Sequence, residues 1–153
     1  MSEKIKQSRE QDEKFMRQAL NEALRALDKR EVPIGAVVVA GDRVIGRGHN
    51  LVETLMDATA HAEMQAITAA MSALGGKYLN DCTIYVTVEP CVMCGGALAW
   101  SQIGRVVYGD KDPKRGYSTY SDSILHPKTE VVAGVLKEEC EALMSDFFRS
   151  LRK

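Results

Sequence analysis

The sequence predicts an α/β fold, a three-layer sandwich with helices on both faces of a sheet. Two long segments of helical periodicity bracket the chain, at about Glu10–Lys29 and about Leu136–Leu151. Between them, compact β-branched runs alternate with shorter helical stretches instead of forming one block of strands. With 153 residues, 45% of them hydrophobic, the chain carries enough apolar material for a single domain, 1–153, with a buried core.

In the first segment Met16, Leu20, Ala23, Leu24 and Leu27 recur at helical spacing, which predicts an amphipathic helix. Val32-Pro33 is expected to end it, since the residue before proline avoids the α region. Ile34 to Ala40 is β-rich and largely apolar, Gly41-Asp42 is a turn, and Val44 and Ile45 open a return strand. Residues 50–58 read as loop. Asp57 or Thr59 is placed to cap the next helix, about Ala60 to Ala73, with Met64, Ile67 and Met71 on one face. Gly75-Gly76 stops it. Thr83 to Val88 reads as a buried strand that feeds Glu89-Pro90-Cys91 straight into a helix of about ten residues. Arg105 to Tyr108 is another short strand, and 110–128 is polar loop with room for one helical turn. Val131 and Val132 mark the last strand. The closing helix has Leu136, Cys140, Leu143, Met144, Phe147 and Phe148 as its apolar set.

Composition excludes some classes. Twenty Lys/Arg against twenty-one Asp/Glu leave a net charge of −1, so no global basic field speaks for nucleic acid. The basic residues gather toward the two ends while 31–104 is acidic, and most of these charges read first as solvated surface. The N-terminal stretch Met1 to Gln7 has no apolar core and is not a secretory signal. No apolar run approaches a membrane span. Four cysteines without a signal peptide argue for metal or free thiols over a disulfide framework, with the cytoplasm as the expected compartment.

Two short pieces carry the chemistry: His61-Ala62-Glu63 and Pro90-Cys91-Val92-Met93-Cys94. Cysteines spaced i, i+3 on one helical turn point their sulfurs the same way. Pro90 suits a helix first turn, where a missing N–H costs nothing, and the positive helix end favours thiolates. Two thiolates and one imidazole suit Zn²⁺, and catalytic zinc keeps its fourth position for water. Glu63, two residues from His61, is too near to be a comfortable fourth ligand but well placed to handle that water's protons. The bland alternatives are a redox cysteine pair or half of a structural site, which needs a fourth ligand from His49, Cys82, His126 or Cys140. Cys82 and Cys140 read first as core, and the two histidines as hydrogen-bonded loop residues.

H-x-E with P-C-x-x-C is the recognised signature of zinc nucleobase deaminases, so its meaning is carried by resemblance and not by spacing. The chain resembles bacterial tRNA-specific adenosine deaminases of the cytidine deaminase-like superfamily over nearly its whole length. The matching text is Val32 to Val37, Arg43 to Gly46, Asn50, Thr59 to Glu63, Val86 to Cys94, Ile103 to Gly109 and Ser145 to Arg149. The resemblance implies a five-stranded mixed sheet, a homodimer and hydrolysis of the wobble adenosine of a tRNA anticodon to inosine. It also implies that Asn50 bonds the target base, that Ile34 lines the pocket and that the backbone near Ala62 contacts the heterocycle. RNA contacts are expected from Lys111, Lys114, Arg115, Tyr117, Tyr120, Phe148, Arg149 and Arg152. The chain departs from the better-known pattern at Lys114 to Asp122, where Tyr117 and Tyr120 either stack on splayed bases or simply pack the loop. The basic tail Arg149, Arg152 and Lys153 either touches phosphates or is the usual positive end of a helix.

The mechanism expected is attack of zinc-activated hydroxide on C6, with one zinc per chain on His61, Cys91 and Cys94. Glu63 would accept the water's proton and later protonate the departing amine. Two rivals stay open. One keeps the chemistry but takes a free nucleobase or nucleoside of guanine or cytosine type, and the other is a catalytically silent RNA-binding subunit. For the homodimer, Ala97, Leu98 and Trp100 are offered as an apolar interface, with core packing as the equal alternative.

Overall fold

The computed structural model describes Ile5 and residues 7–152. Met1–Lys4, Lys6 and Lys153, on which the reading of the N-terminus and part of the basic tail rested, lie outside the described residues.

The first helix, α1, spans Arg9–Asp28. Ser8 opens it with a capping box: its hydroxyl accepts the Gln11 N–H at 3.1 Å, and the Gln11 side chain accepts the Ser8 N–H at 3.0 Å. The helix ends ahead of Val32-Pro33 because Arg30 takes a left-handed φ of 63°, so the proline follows the end and does not cause it. A hairpin follows, β1 at Gly35–Ala40 and β2 at Arg43–His49, turning at Gly41 with φ 64°. Residues 50–58 are not all loop, since Val52–Leu55 forms one helical turn, α2. Next come α3 at Ala62–Leu74, β3 at Cys82–Val88, α4 at Val92–Ser101 and β4 at Arg105–Asp110. A single 3-10 turn at Tyr117–Thr119 interrupts the long loop before β5 at Glu130–Ala133 and α5 at Lys137–Leu151.

The five strands form one mixed sheet in the order β2-β1-β3-β4-β5. β1 is antiparallel to both its neighbours, whereas β3, β4 and β5 run parallel. Alternation along the central strands sorts the core into two halves. Ala36, Val38, Ile84, Val86 and Val106 face α3 and α4, and Val37, Val39, Tyr85 and Val107 face α1 and α5. This is the three-layer arrangement that interleaved strands and helices predict.

The packed face of α3 holds the expected Ile67 and, at its margin, Met71, but Met64 is only partly buried and Ala62, Ala66 and Ala70 make the rest of the contact. The reason lies in β2, where a Cβ at Gly46 or Gly48 would collide with the α3 backbone at Ala66 or Ala62. Small residues on both elements let the helix lie directly on the strand and fix where its first turn sits. On the opposite face, the Asp12 carboxylate takes two bonds from the Arg105 guanidinium, both 2.9 Å, and one from the Tyr85 hydroxyl at 2.7 Å. Asp12 and Arg105 are each only 4% exposed, so α1 is locked to the sheet through a buried ion pair. Among the described residues no helix is long and apolar enough to cross a membrane.

Candidate metal centre

Both motif helices begin at the same edge of the sheet. His61 is the cap residue of α3, with extended φ −77° and ψ 155°, and Cys91 is the cap residue of α4, with φ −71° and ψ 175°. Asp57 and Thr59 therefore do not cap α3. The Asp57 carboxylate instead accepts the Thr59 N–H and hydroxyl, at 2.8 and 2.7 Å, in the turn just before it. Pro90 likewise precedes the cap of α4 and is not inside the first turn. Cys94 lies three residues into α4, fully buried, and its sulfur still converges with that of Cys91.

The His61 Nδ1 lies 3.6 Å from the Cys91 sulfur and 3.6 Å from the Cys94 sulfur, and the three donor atoms all fall within 4.8 Å of one another. A tetrahedral zinc ion, about 2.0 Å from nitrogen and 2.3 Å from sulfur, requires a nitrogen–sulfur edge of about 3.5 Å. The donor set and its spacing fit that ion. No fourth His, Cys, Asp or Glu joins the cluster among the described residues. Cys82 and Cys140 are buried in the two core halves, His126 accepts the Lys128 N–H, and His49 bridges Glu22 at 3.0 Å and Lys29 at 2.9 Å. Three protein donors without a fourth among the described residues is the donor count of catalytic zinc.

The two cysteines differ electrostatically. A hydrogen bond from the Cys94 thiol, with help from His61, pulls Cys91 down to about 4. Cys94 moves upward, first because it donates to Cys91 and then because it is buried. Its bond to Cys91 raises the His61 imidazolium in turn. The Cys94 backbone N–H, in the first turn of α4, also bonds Cys91 and lowers it further. Glu63, in the first turn of α3, is 4% exposed. Burial pushes its carboxyl up to about 7, and the Cys91 thiolate adds to the rise against the pull of its own backbone N–H, His61 and Cys94.

A cleft of about 980 Å³ opens over this cluster. His61, Glu63 and Cys91 line its floor, with Ile34, Asn50 and Ala62 on one wall. Asn50 is 7% exposed, and none of the described residues hydrogen-bonds its side-chain amide. Lys111, Lys114, Arg115, Phe148 and Arg152 form the rim. Tyr120 and Arg149 lie outside it; Tyr120 is 66% exposed and Arg149 pairs with Asp146 at 3.2 Å. Tyr117 is 6% exposed with its ring against Gly95, so in this chain it packs the loop and presents no face for stacking. Sequence reasoning missed Glu31 and Glu89, two buried carboxylates on the cleft wall whose partners all lie elsewhere in the chain. No spacing pattern marks either one.

Comparison with known proteins agrees with this geometry. Residues 9–110 match the cytidine and deoxycytidylate deaminase zinc-binding region. A tRNA-specific adenosine deaminase of Bacillus subtilis is 49% identical over 148 residues, 94% of this chain and 92% of its own length. A solved structure from a study of A-to-I editing by tRNA:A34 deaminases at the wobble position superposes with a TM-score of 0.78. It is 40% identical and covers 85% of this chain and 98% of its own. The guanine deaminase of Bacillus subtilis superposes at 0.62 with 39% identity, over 65% of this chain and 64% of its own. The chain belongs to the zinc-binding cytidine and deoxycytidylate deaminase family.

Proposed function

We propose that the chain, acting as one domain, hydrolytically deaminates the wobble adenosine of a tRNA anticodon to inosine. One observation carries the chemistry: a buried acid, Glu63, that is not one of the metal donors, beside a three-donor cluster at the floor of an open cleft. His61, Cys91 and Cys94 hold the zinc ion, which supplies a Lewis acid that makes water nucleophilic at neutral pH. Glu63 takes a proton from the attacking water and delivers it to a ring nitrogen of adenine. It then takes the second proton from the oxygen now bonded to C6 and passes it to the amine as the C6–N bond breaks, so water and adenosine become inosine and ammonia. A carboxyl that is not tied up as a metal ligand can do both within one turnover. Asn50 offers its free amide to the base, Ile34 closes the pocket behind it, and the Ala62 backbone borders the heterocycle.

The choice of RNA as substrate rests on the tRNA-specific relatives, which match over nearly the full length, and on the basic rim. Lys111, Lys114, Arg115 and Arg152 are set to meet phosphates there, with Arg149 further out. Phe148 and Tyr120, both exposed, offer faces for stacking. The free-nucleobase reading draws on the guanine deaminase of Bacillus subtilis, 39% identical over 65% of the chain, against 49% identity over 94% for the tRNA-specific relative. The presence of Glu63 speaks against a silent binding subunit. For the homodimer, Leu98 is core, but Trp100 at 85% exposure and Val92 at 43% leave α4 an apolar outer face that suits a second copy. The expected compartment is the cytoplasm, where tRNA is matured.

Sequencing a tRNA with a wobble adenosine before and after incubation tests the proposal. Inosine at that nucleotide is expected. Ammonia released from free guanine or cytosine, with no inosine in the tRNA, would favour the second reading.

A further inference from the structure

The carboxylate of Glu89 has no part in the chemistry described above, yet it sits two residues from Cys91 and is 3% exposed. Both its oxygens are committed. One accepts the Asp112 N–H at 3.2 Å, and the other accepts the Ser118 N–H at 3.0 Å and the Ser118 hydroxyl at 2.6 Å. All three donors belong to the loop that carries Lys111, Lys114 and Arg115. A buried carboxylate is costly unless hydrogen-bonded, so these bonds hold the loop against the strand end. The same loop is tied a second time, by the Tyr117 N–H to the Pro90 carbonyl at 2.9 Å and by a β-bridge between Gly116 and Cys91. Gly116 is part of the fit, because a Cβ there would land on the Glu89 carboxyl group itself.

We infer that Glu89 is a positioning residue for RNA capture. Its carboxylate clasps the basic loop 111–118 onto the turn that carries the metal ligands, and it governs polynucleotide affinity and not the chemical step. The inference rests on the tRNA reading for its substrate, but the clasp itself is measurable without any substrate. Glu89 spends its carboxylate on three donors of the loop. What it controls is where three cations stand relative to the cleft floor, and cation placement acts on phosphate contacts.

The experiment uses the zinc-loaded full chain and an anticodon stem-loop RNA. Glu89→Gln puts an NH₂ where one carboxylate oxygen faces loop donors. It should weaken RNA binding about tenfold and flatten its salt dependence. The kcat at saturating RNA should stay within about twofold, and zinc should remain at one per chain. Amide hydrogen exchange at Asp112 and Ser118 should speed up in the same variant. Gly116→Ala should weaken binding alone but add nothing on top of Glu89→Ala, since the collision is then gone. A loss of kcat with unchanged affinity, unchanged exchange at the two amides, or an additive Gly116→Ala effect would each overturn the inference. If Glu89→Gln fails to fold, Ser118→Ala removes one donor alone, and an unshifted RNA affinity in that variant overturns it equally. Should the wild-type chain neither bind nor deaminate the RNA, the tRNA reading is what fails, and the exchange measurement still decides the clasp.

Discussion

Replacing Glu63 by glutamine keeps the shape of the side chain and removes its proton chemistry. One carboxyl serves as base and then as acid, and a positioned group of that kind contributes about 10²–10⁴ in rate, roughly 3–5 kcal/mol of barrier. Turnover of Glu63→Gln should fall by that factor while zinc stays at one per chain, because the three ligands are untouched. Stability should move the other way. Burial raises the folded-state carboxyl from 4.5 to about 7 in the metal-free protein. The unfolded chain therefore releases its proton first, and ionised Glu63 weakens the fold progressively from about pH 4.5 upward, with the full cost above about 7. A shift of that size corresponds to about 3 kcal/mol, in order of magnitude. Urea unfolding of the zinc-free wild type and variant should coincide near pH 4 and separate near pH 8, with the glutamine form more stable. A variant that deaminates within tenfold of wild type, or that is less stable at alkaline pH, would refute the reasoning.

Asp12→Asn should lower stability by about 3–5 kcal/mol, because it leaves the Arg105 guanidinium buried without its carboxylate; denaturant midpoints read this directly, and a cost under about 1 kcal/mol would show the pair to be dispensable. Glu31 holds the turn beside Asn50, accepting the Glu53 N–H at 3.1 Å and the Thr54 N–H and hydroxyl at 2.6 Å each. Burial raises this carboxyl, but the bonds from Thr54 and Glu53 and the nearby His49 outweigh it and hold it below its ordinary 4.5. Its contribution is therefore complete above that value and disappears as pH falls through the folded one. The melting-temperature gap between wild type and Glu31→Gln should be wide at pH 7 and close in acid, and a gap independent of pH would sink this assignment.

The metal motif and the strand–helix alternation were legible because each is local. A β-branched run such as Thr83 to Val88 declares a strand, and H-x-E with P-C-x-x-C names its own chemistry. Exact helix starts were not legible. His61 and Cys91 act as caps without side-chain capping bonds, so the propensity of Asp57 and Thr59 for that position misled. The packed face of α3 was legible at Ile67 and Met71 but not at its alanines, because hydropathy does not report that contact with Gly46 and Gly48 demands a small residue. The carboxylate anchors escaped for another reason. Asp12 meets Arg105 across 93 residues, and Glu89 meets Ser118 across 29, and no periodicity reports a pairing made by tertiary structure.

Two of the three donor atoms belong to residues that stand just outside a helix, and their extended backbone is what turns them inward. If either helix wound one residue further toward its start, it would swing a donor away from its companions although every ligand was still present. Drift in the neighbouring turns is therefore constrained by winding, and a chain could lose its metal with all three coordinating side chains intact.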